Sequence, residues 1–372
     1  FAVACVLACE CKICDFIEAI TRVEEMHVEK YNFLSEEDKQ EIKWAFDLVR
    51  DKRAVPSMRS MQFGGGAVTA HNARMFNCSC RHIDSIRSFA ECFYLLLCGC
   101  GVDFGLTKKY LSRLPDLVDA DSKTGIVLMY AVEDSIEGWA DSLEAQLNSY
   151  FKNTAYSGRK IVFDYSKIRR KGAKLRTGGG KAPGYSGLKN AHIKIKKLFD
   201  NIVEKEGQSR LKPIGAYDIL MHCSDEVLSG GIRRAATSVV FDHDDEEMMN
   251  AKTGNWFEEN PQRARSNNSV LFLRKKVKEE DFKKVLQSSR EFGEPGFIFA
   301  DHEDMLSNPC REIGFVPVTK DGRCGVQFCN LTSINGAKIH SIKDFRDAAK
   351  AASIIGTLQA GYTNFHYLRN TS

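Results

Sequence analysis

Short runs of β-branched and apolar residues alternate with helical stretches along this chain. That alternation restricts the fold more than any other feature of the sequence. Arg74–Ser79, Thr237–Phe241, Ser269–Leu273 and Phe297–Ala300 read as strands. Ser85–Cys98, closed by Gly99, and Gly138–Phe151, Leu188–Glu206 and Glu279–Phe292 read as helices. Strand, helix and strand in succession call for an α/β domain built from parallel units. Ahead of it, Asp15–Arg53 is helical: Phe16, Ile20, Val23, Met26 and Val28 fall near helical spacing. Ser35 before Glu36, Glu37 and Asp38 reads as an N-cap with acids in the first turn. Asp51–Ala67 reads as a glycine-rich loop closing on Gly64, Gly65 and Gly66, and Arg169–Gly187 as a basic, glycine-rich one. No repeat or low-complexity tract interrupts the pattern.

Composition narrows the class. The chain has 372 residues, 43% of them hydrophobic, which suits a globular core. Charge nearly balances, 53 basic against 49 acidic residues for a net +4, which argues against binding duplex nucleic acid and suits a small anionic substrate. Thirteen cysteines is an odd count, and no secretory signal accompanies them, so a disulfide scaffold is not expected. Cytosolic thiols and a cytoplasmic location are the better reading. The longest apolar run, Phe93–Cys100, falls far short of a membrane span. Residues 1–14 form an atypical terminus with Cys5, Cys9, Cys11 and Cys14; their spacing is not that of paired zinc-ligand motifs, and no metal site is assigned.

The densest chemistry lies in Asn308-Pro309-Cys310-Arg311-Glu312. In an extended segment, Asn308, Cys310 and Glu312 would share one face and aim an amide, a thiol and a carboxylate at one target. The bland alternative is a proline turn with a buried thiol. Cys329, in FCNLTSIN, and Cys78, in FNCSC, form a redox couple only if the fold brings their Cα atoms within roughly 7 Å. Two loops, Ser229–Ala236 and Lys171–Gly184, combine glycines with arginines or lysines, as phosphate cradles do; neither is a P-loop, and each also reads as a flexible basic loop.

Taken in order, the motifs resemble those of the class II ribonucleotide reductases, the adenosylcobalamin-dependent branch. The run VPSMRSMQFGG, then FNCS, GCGVDFGL, VEDSIEGW and DYSKIRRKGAKLRTGGGKAPG match in style. So do GGIRRAATSVVF, NAKTGNW, PQRARSNNS, GEPGF, NPCREIGF and FCNLTSIN, over about Glu18 to Tyr367. The resemblance implies a ten-stranded α/β barrel with a central finger loop. Residues 15–55 would be a small helical region, and 56–372 the first part of that barrel without its second half. It implies reduction of ribonucleotides, most simply triphosphates, to deoxyribonucleotides by a thiyl radical. Cys310 would be the radical site, Glu312 the general base and Asn308 a holder of the ribose hydroxyls. Cys78 and Cys329 would be the pair oxidised to a disulfide. Ser57, Asn77 and Gly101 match positions lining the substrate, Arg176 an effector-phosphate position and Arg233 the specificity loop. The implied cofactor is adenosylcobalamin and the implied reductant thioredoxin or a similar dithiol. A nucleoside triphosphate or its deoxy form would be the effector.

Three positions depart from the pattern. Arg311 and Asp103 stand where glycine is usual, and Arg170 where proline is. A side chain replacing glycine beside a ligand blocks close approach or forces strain, unless it points away. The missing half-barrel is compatible with a truncated product, a split enzyme completed by a second chain, or a fragment. Two other functions remain open at this level: an inactive or regulatory nucleotide-binding remnant, and the large subunit of an iron-dependent reductase.

Overall fold

The computed structural model describes residues 16–121, 127–175, 181–229 and 235–370. The four N-terminal cysteines, Arg176 and Arg233 lie outside the described residues. The chain divides into two compact units.

The first unit gathers residues 16–78 and 328–366, with Lys174 and Lys181. Ile20, Val23 and His27 line the buried face of the helix Phe16–Lys30, and Ile42, Ala45, Phe46 and Val49 that of Glu36–Arg50. These are the i, i+3, i+4, i+7 positions of an amphipathic helix. Ser35 caps the second helix as expected, its side chain accepting from the Asp38 amide at 3.1 Å. The 19-residue helix Ile342–Ala360 packs on Glu36–Arg50 through Ala348, Ala351, Ala352 and Ile355. The short strand Ala54–Val55 pairs antiparallel with Ser333–Ile334. The stretch expected as a loop is not one: it holds the helices Met58–Phe63 and Gly66–Ala70, and Gly65 between them takes φ 90°, open to glycine without strain. The expected strand at Arg74 begins later, because Asn72–Met75 is a 3₁₀ turn.

The second unit is built on the strands Cys78–His82, Gly101–Gly105, Thr237–Asp242, Ser266–Leu273 and Gly296–Ala300, neighbours in that order within a six-stranded sheet. The last four strands run parallel, in agreement with the alternation in the sequence. Ile86–Cys98 links the first two strands and is buried on every side except Arg87. Glu279–Phe292 links the last two, ending at Gly293 in the left-handed conformation. Between Gly105 and Thr237 the chain inserts a two-stranded parallel ribbon, Val127–Ala131 with Lys160–Asp164, and the helices Ile136–Tyr150, Ser186–Asp200 and Pro213–Ser229. The helix expected to reach Glu206 widens into a π turn at Asn201.

Cys80, Val240, Leu271 and Ala300 share one face of this sheet and form a buried cluster with Leu306. Leu306 opens a hairpin, Leu306–Ser307 against Gly314–Phe315, so the hairpin base is seated by apolar packing on that face. Gly105 permits the approach: a Cβ there would lie 2.3 Å from Nδ1 of His82 and 3.0 Å from Cδ2 of Leu306. No helix among the described residues is long and apolar enough to cross a membrane.

Candidate active site

The candidate residues fall into two groups, one in each unit. In the second unit the hairpin presents Asn308–Glu312 at its tip. The segment is a tight turn, not the extended strand expected: the Arg311 amide donates to the Asn308 carbonyl at 2.9 Å. The Asn308 amide donates to the carbonyl of Ile313 at 3.2 Å, and the Ile313 amide returns a bond to Asn308 Oδ1 at 3.0 Å. The three side chains therefore do not share a face. Asn308 is fully buried, whereas Cys310 and Glu312 are exposed. Asn308 Nδ2 has no hydrogen-bond partner among the described residues. A buried donor without a partner is costly, and a bound polar ligand is one way to satisfy it.

Cys310 is the exposed member of nine described cysteines; the other eight are buried. Burial pushes the thiols of Cys92 and Cys324 up to about 12, and those of Cys80 and Cys223 up as well. Those four are held protonated and unreactive, whereas the hairpin tip carries an accessible thiol.

The two residues that replace glycine meet each other. Arg311 has φ 68°, in the left-handed region where glycine is the unstrained choice. Its Nη1 lies 3.2 Å from each carboxylate oxygen of Asp103 and donates to Ser307 Oγ at 2.7 Å. Asp103 is fully buried, with its register partner Ser238 donating to Oδ1 and the Ser307 amide to Oδ2 at 3.1 Å. Burial raises its pKa, and Arg311, Ser238 and Ser307 pull against that rise. Gly101 opens the same strand and is buried.

The first unit holds Ser57, Asn77, Cys78 and Cys329. Ser57 Oγ donates to Asn77 Oδ1 at 2.7 Å, and that oxygen also accepts from the Leu331 amide at 3.3 Å. The Asn77 amide donates to the Cys329 carbonyl at 3.1 Å. Cys78 and Cys329 are both buried and thus flank one backbone hydrogen bond. Gln359, absent from the sequence reading, completes the group: its Oε1 accepts from the Ser57 amide at 2.9 Å and its Nε2 donates to Asn330 Oδ1 at 2.7 Å. The signal available was a glutamine in the last turn of a helix, next to Leu358, where a buried amide needs partners.

Residues 112–199 match the family model described as the insertion domain of B12-dependent ribonucleotide reductase, the stretch that carries the parallel ribbon. A probable adenosylcobalamin-dependent ribonucleoside-triphosphate reductase of Dictyostelium discoideum is 30% identical over 261 residues, covering 65% of this chain and 32% of that protein. The adenosylcobalamin-dependent ribonucleoside-triphosphate reductase of Euglena gracilis is 30% identical over 232 residues, 58% of this chain and 29% of the relative. The matched stretch thus spans about a third of the length of these relatives. A crystal structure of a B12-dependent, class II ribonucleotide reductase superposes with a TM-score of 0.74 at 21% identity, over 93% of this chain and 56% of that one, and shows the shared α/β fold. Over these stretches the chain is similar to adenosylcobalamin-dependent ribonucleoside-triphosphate reductases, and it shares the fold of a class II ribonucleotide reductase.

Proposed function

We propose that this chain carries the thiol machinery of a ribonucleotide reductase acting on ribonucleoside triphosphates. The observation that carries the reading is the hairpin tip, where the exposed Cys310 and Glu312 flank a tight turn over the buried, unsatisfied amide of Asn308.

In this reading a thiyl radical on Cys310 takes the 3′ hydrogen of the ribose; S–H and activated C–H bonds are close enough in strength for the exchange to be nearly balanced. The Glu312 carboxylate accepts the 3′-OH proton, and Asn308 Nδ2 donates to a ribose hydroxyl. The 2′-OH leaves as water. Cys78 and Cys329 supply two electrons and two protons and close as a disulfide. The 3′ hydrogen returns from Cys310, so the balance is ribonucleotide plus dithiol to deoxyribonucleotide, disulfide and water. Ser57, Asn77 and Gly101 would line the substrate. Arg176 and Arg233 would serve the effector.

An accessible thiol on a hairpin tip suits a radical generated outside the chain's own packed core. Adenosylcobalamin, when bound, supplies that radical by homolysis of its cobalt–carbon bond. Thioredoxin or a similar dithiol would regenerate Cys78 and Cys329. A cytoplasmic setting and a further stretch of barrel, in the same or a second chain, complete the reading. The test is anaerobic conversion of ribonucleoside triphosphates by the completed enzyme with adenosylcobalamin and a dithiol. Deoxynucleotide formation that C310S abolishes is expected; no product, or product that is unaffected by C310S, overturns it. A requirement for a separate metalloprotein instead of cobalamin would point to the iron-dependent class.

A further inference from the structure

We infer that Asp103 and Arg311 are coupled positioning residues, an ionic clamp that fixes the hairpin tip and so aims Cys310. The inference rests on the reading of Asn308–Glu312 as the catalytic tip.

Three donors from three segments converge on the Asp103 carboxylate. Ser238 comes from the neighbouring strand, the Ser307 amide from the hairpin base, and Arg311 from the tip. Val240, two residues after Ser238, belongs to the apolar cluster that seats Leu306, so strand alternation places Ser238 and Asp103 on the face that receives the hairpin. Apolar packing holds the base of the hairpin at Leu306 and Phe315. Beyond the buried Pro309 the tip turns outward, with Cys310 and Glu312 exposed. The clamp supplies that second anchor. Arg311 adjoins Cys310 in the chain, its amide closes the turn on Asn308, and its guanidinium reaches back to the sheet at Asp103, Ser307 Oγ and the Val239 carbonyl. With base and tip both fixed, the turn cannot pivot about the hairpin.

The two side chains also require each other. Asp103 alone would be a fully buried carboxylate without a cation. Arg311 alone would keep a backbone conformation that disfavours a side chain, with no buried partner in return. Two glycines or this pair are each self-consistent; a single replacement is not. The two departures from the family pattern are therefore one change.

The test is a double-mutant cycle on the full chain with D103N, R311Q and D103N/R311Q, read by hydrogen–deuterium exchange of the 306–315 amides. Each single variant is expected to speed exchange there by roughly tenfold, with the double variant no faster than either. R311K, which keeps the cation but not the forked guanidinium contacts to Ser307 and Val239, is expected to fall between the parent and R311Q. In the completed enzyme D103N and R311Q are expected to lower kcat with KM for the nucleotide unchanged. Additive effects in the cycle, or exchange unchanged in every variant, overturn the clamp. Loss of turnover in the parent enzyme overturns the functional reading instead, and leaves the exchange cycle intact.

Discussion

The backbone amide of Asn77 donates to the carbonyl of Cys329 at 3.1 Å, which sets Cys78 and Cys329 on either side of a shared hydrogen bond. Treating the reduced chain with a mild thiol oxidant is expected to give a peptide cross-linked between Cys78 and Cys329. Mass spectrometry of the digest checks it, with C78S as the control that cannot form the link. Recovery of both residues as separate thiols under conditions that oxidise Cys310 would remove them as the redox pair.

The clamp has a thermodynamic counterpart. R311G relieves left-handed strain of roughly 1 kcal/mol. It also leaves the buried Asp103 carboxylate without its cation, at a cost of about 3–5 kcal/mol. The second effect dominates, so R311G is expected to destabilise the chain by about 2–4 kcal/mol in urea titrations. D103G/R311G, which returns both positions to glycine, is expected to recover most of that loss.

Gly105 is a sharper steric test. A methyl at this position meets the His82 imidazole and Leu306 at once. G105A is expected to lose about 1–3 kcal/mol, as overpacking of a filled core does. Faster amide exchange in the hairpin should accompany the loss, because Leu306 is displaced with it. Unchanged stability would mean that the hairpin sits further from the sheet than described.

Acid should weaken the second unit in a defined window. His82 is fully buried, donates from Nε2 to the Asp304 carbonyl at 3.0 Å, stacks on Tyr110 and has its pKa lowered to about 4 by burial. His192, between Tyr165 and Ser142, is lowered to about 3 by the same cause. Between these values and the ordinary value near 6.5 the unfolded chain binds protons that the folded chain does not. Stability is therefore complete above about pH 6.5 and declines as pH falls towards 4, by roughly 3 kcal/mol for His82 alone. Urea midpoints measured across that range check the slope. H82Q, whose amide can keep the bond to Asp304 without titrating, is expected to reduce it by the His82 share and leave that of His192.

Helices announced themselves where local chemistry and periodicity agreed. Glu279–Phe292 ran from an acidic first turn to Gly293, and Ile86–Cys98 ended on Gly99 in the left-handed conformation. The strand Gly101–Gly105 did not, because two glycines and an aspartate among its five residues have poor strand propensity; pairing with Thr237–Asp242 imposes it. The site was legible as residue types in order, since Asn308, Cys310 and Glu312 stand out without coordinates. Their arrangement was not. The turn at the tip depends on Asn308 bonding to Ile313, and the Asp103–Arg311 contact joins positions distant in the chain. Each of those two residues looked, from sequence, like an isolated defect in a glycine position. Gln359 was silent for a similar reason: its partners Ser57 and Asn330 are assembled only by the folded first unit.

The contrast between one exposed thiol and eight buried ones also dictates how the protein ages. Peroxide and dissolved oxygen attack accessible thiols first, and a cysteine carried past sulfenic acid to the sulfinic or sulfonic state does not return to a thiol in a simple dithiol buffer. Among the described cysteines that damage falls on Cys310, at the tip of the hairpin, whereas a disulfide between Cys78 and Cys329 is one that a dithiol reverses. A preparation kept in air would remain folded and spectroscopically ordinary as its chemistry disappeared.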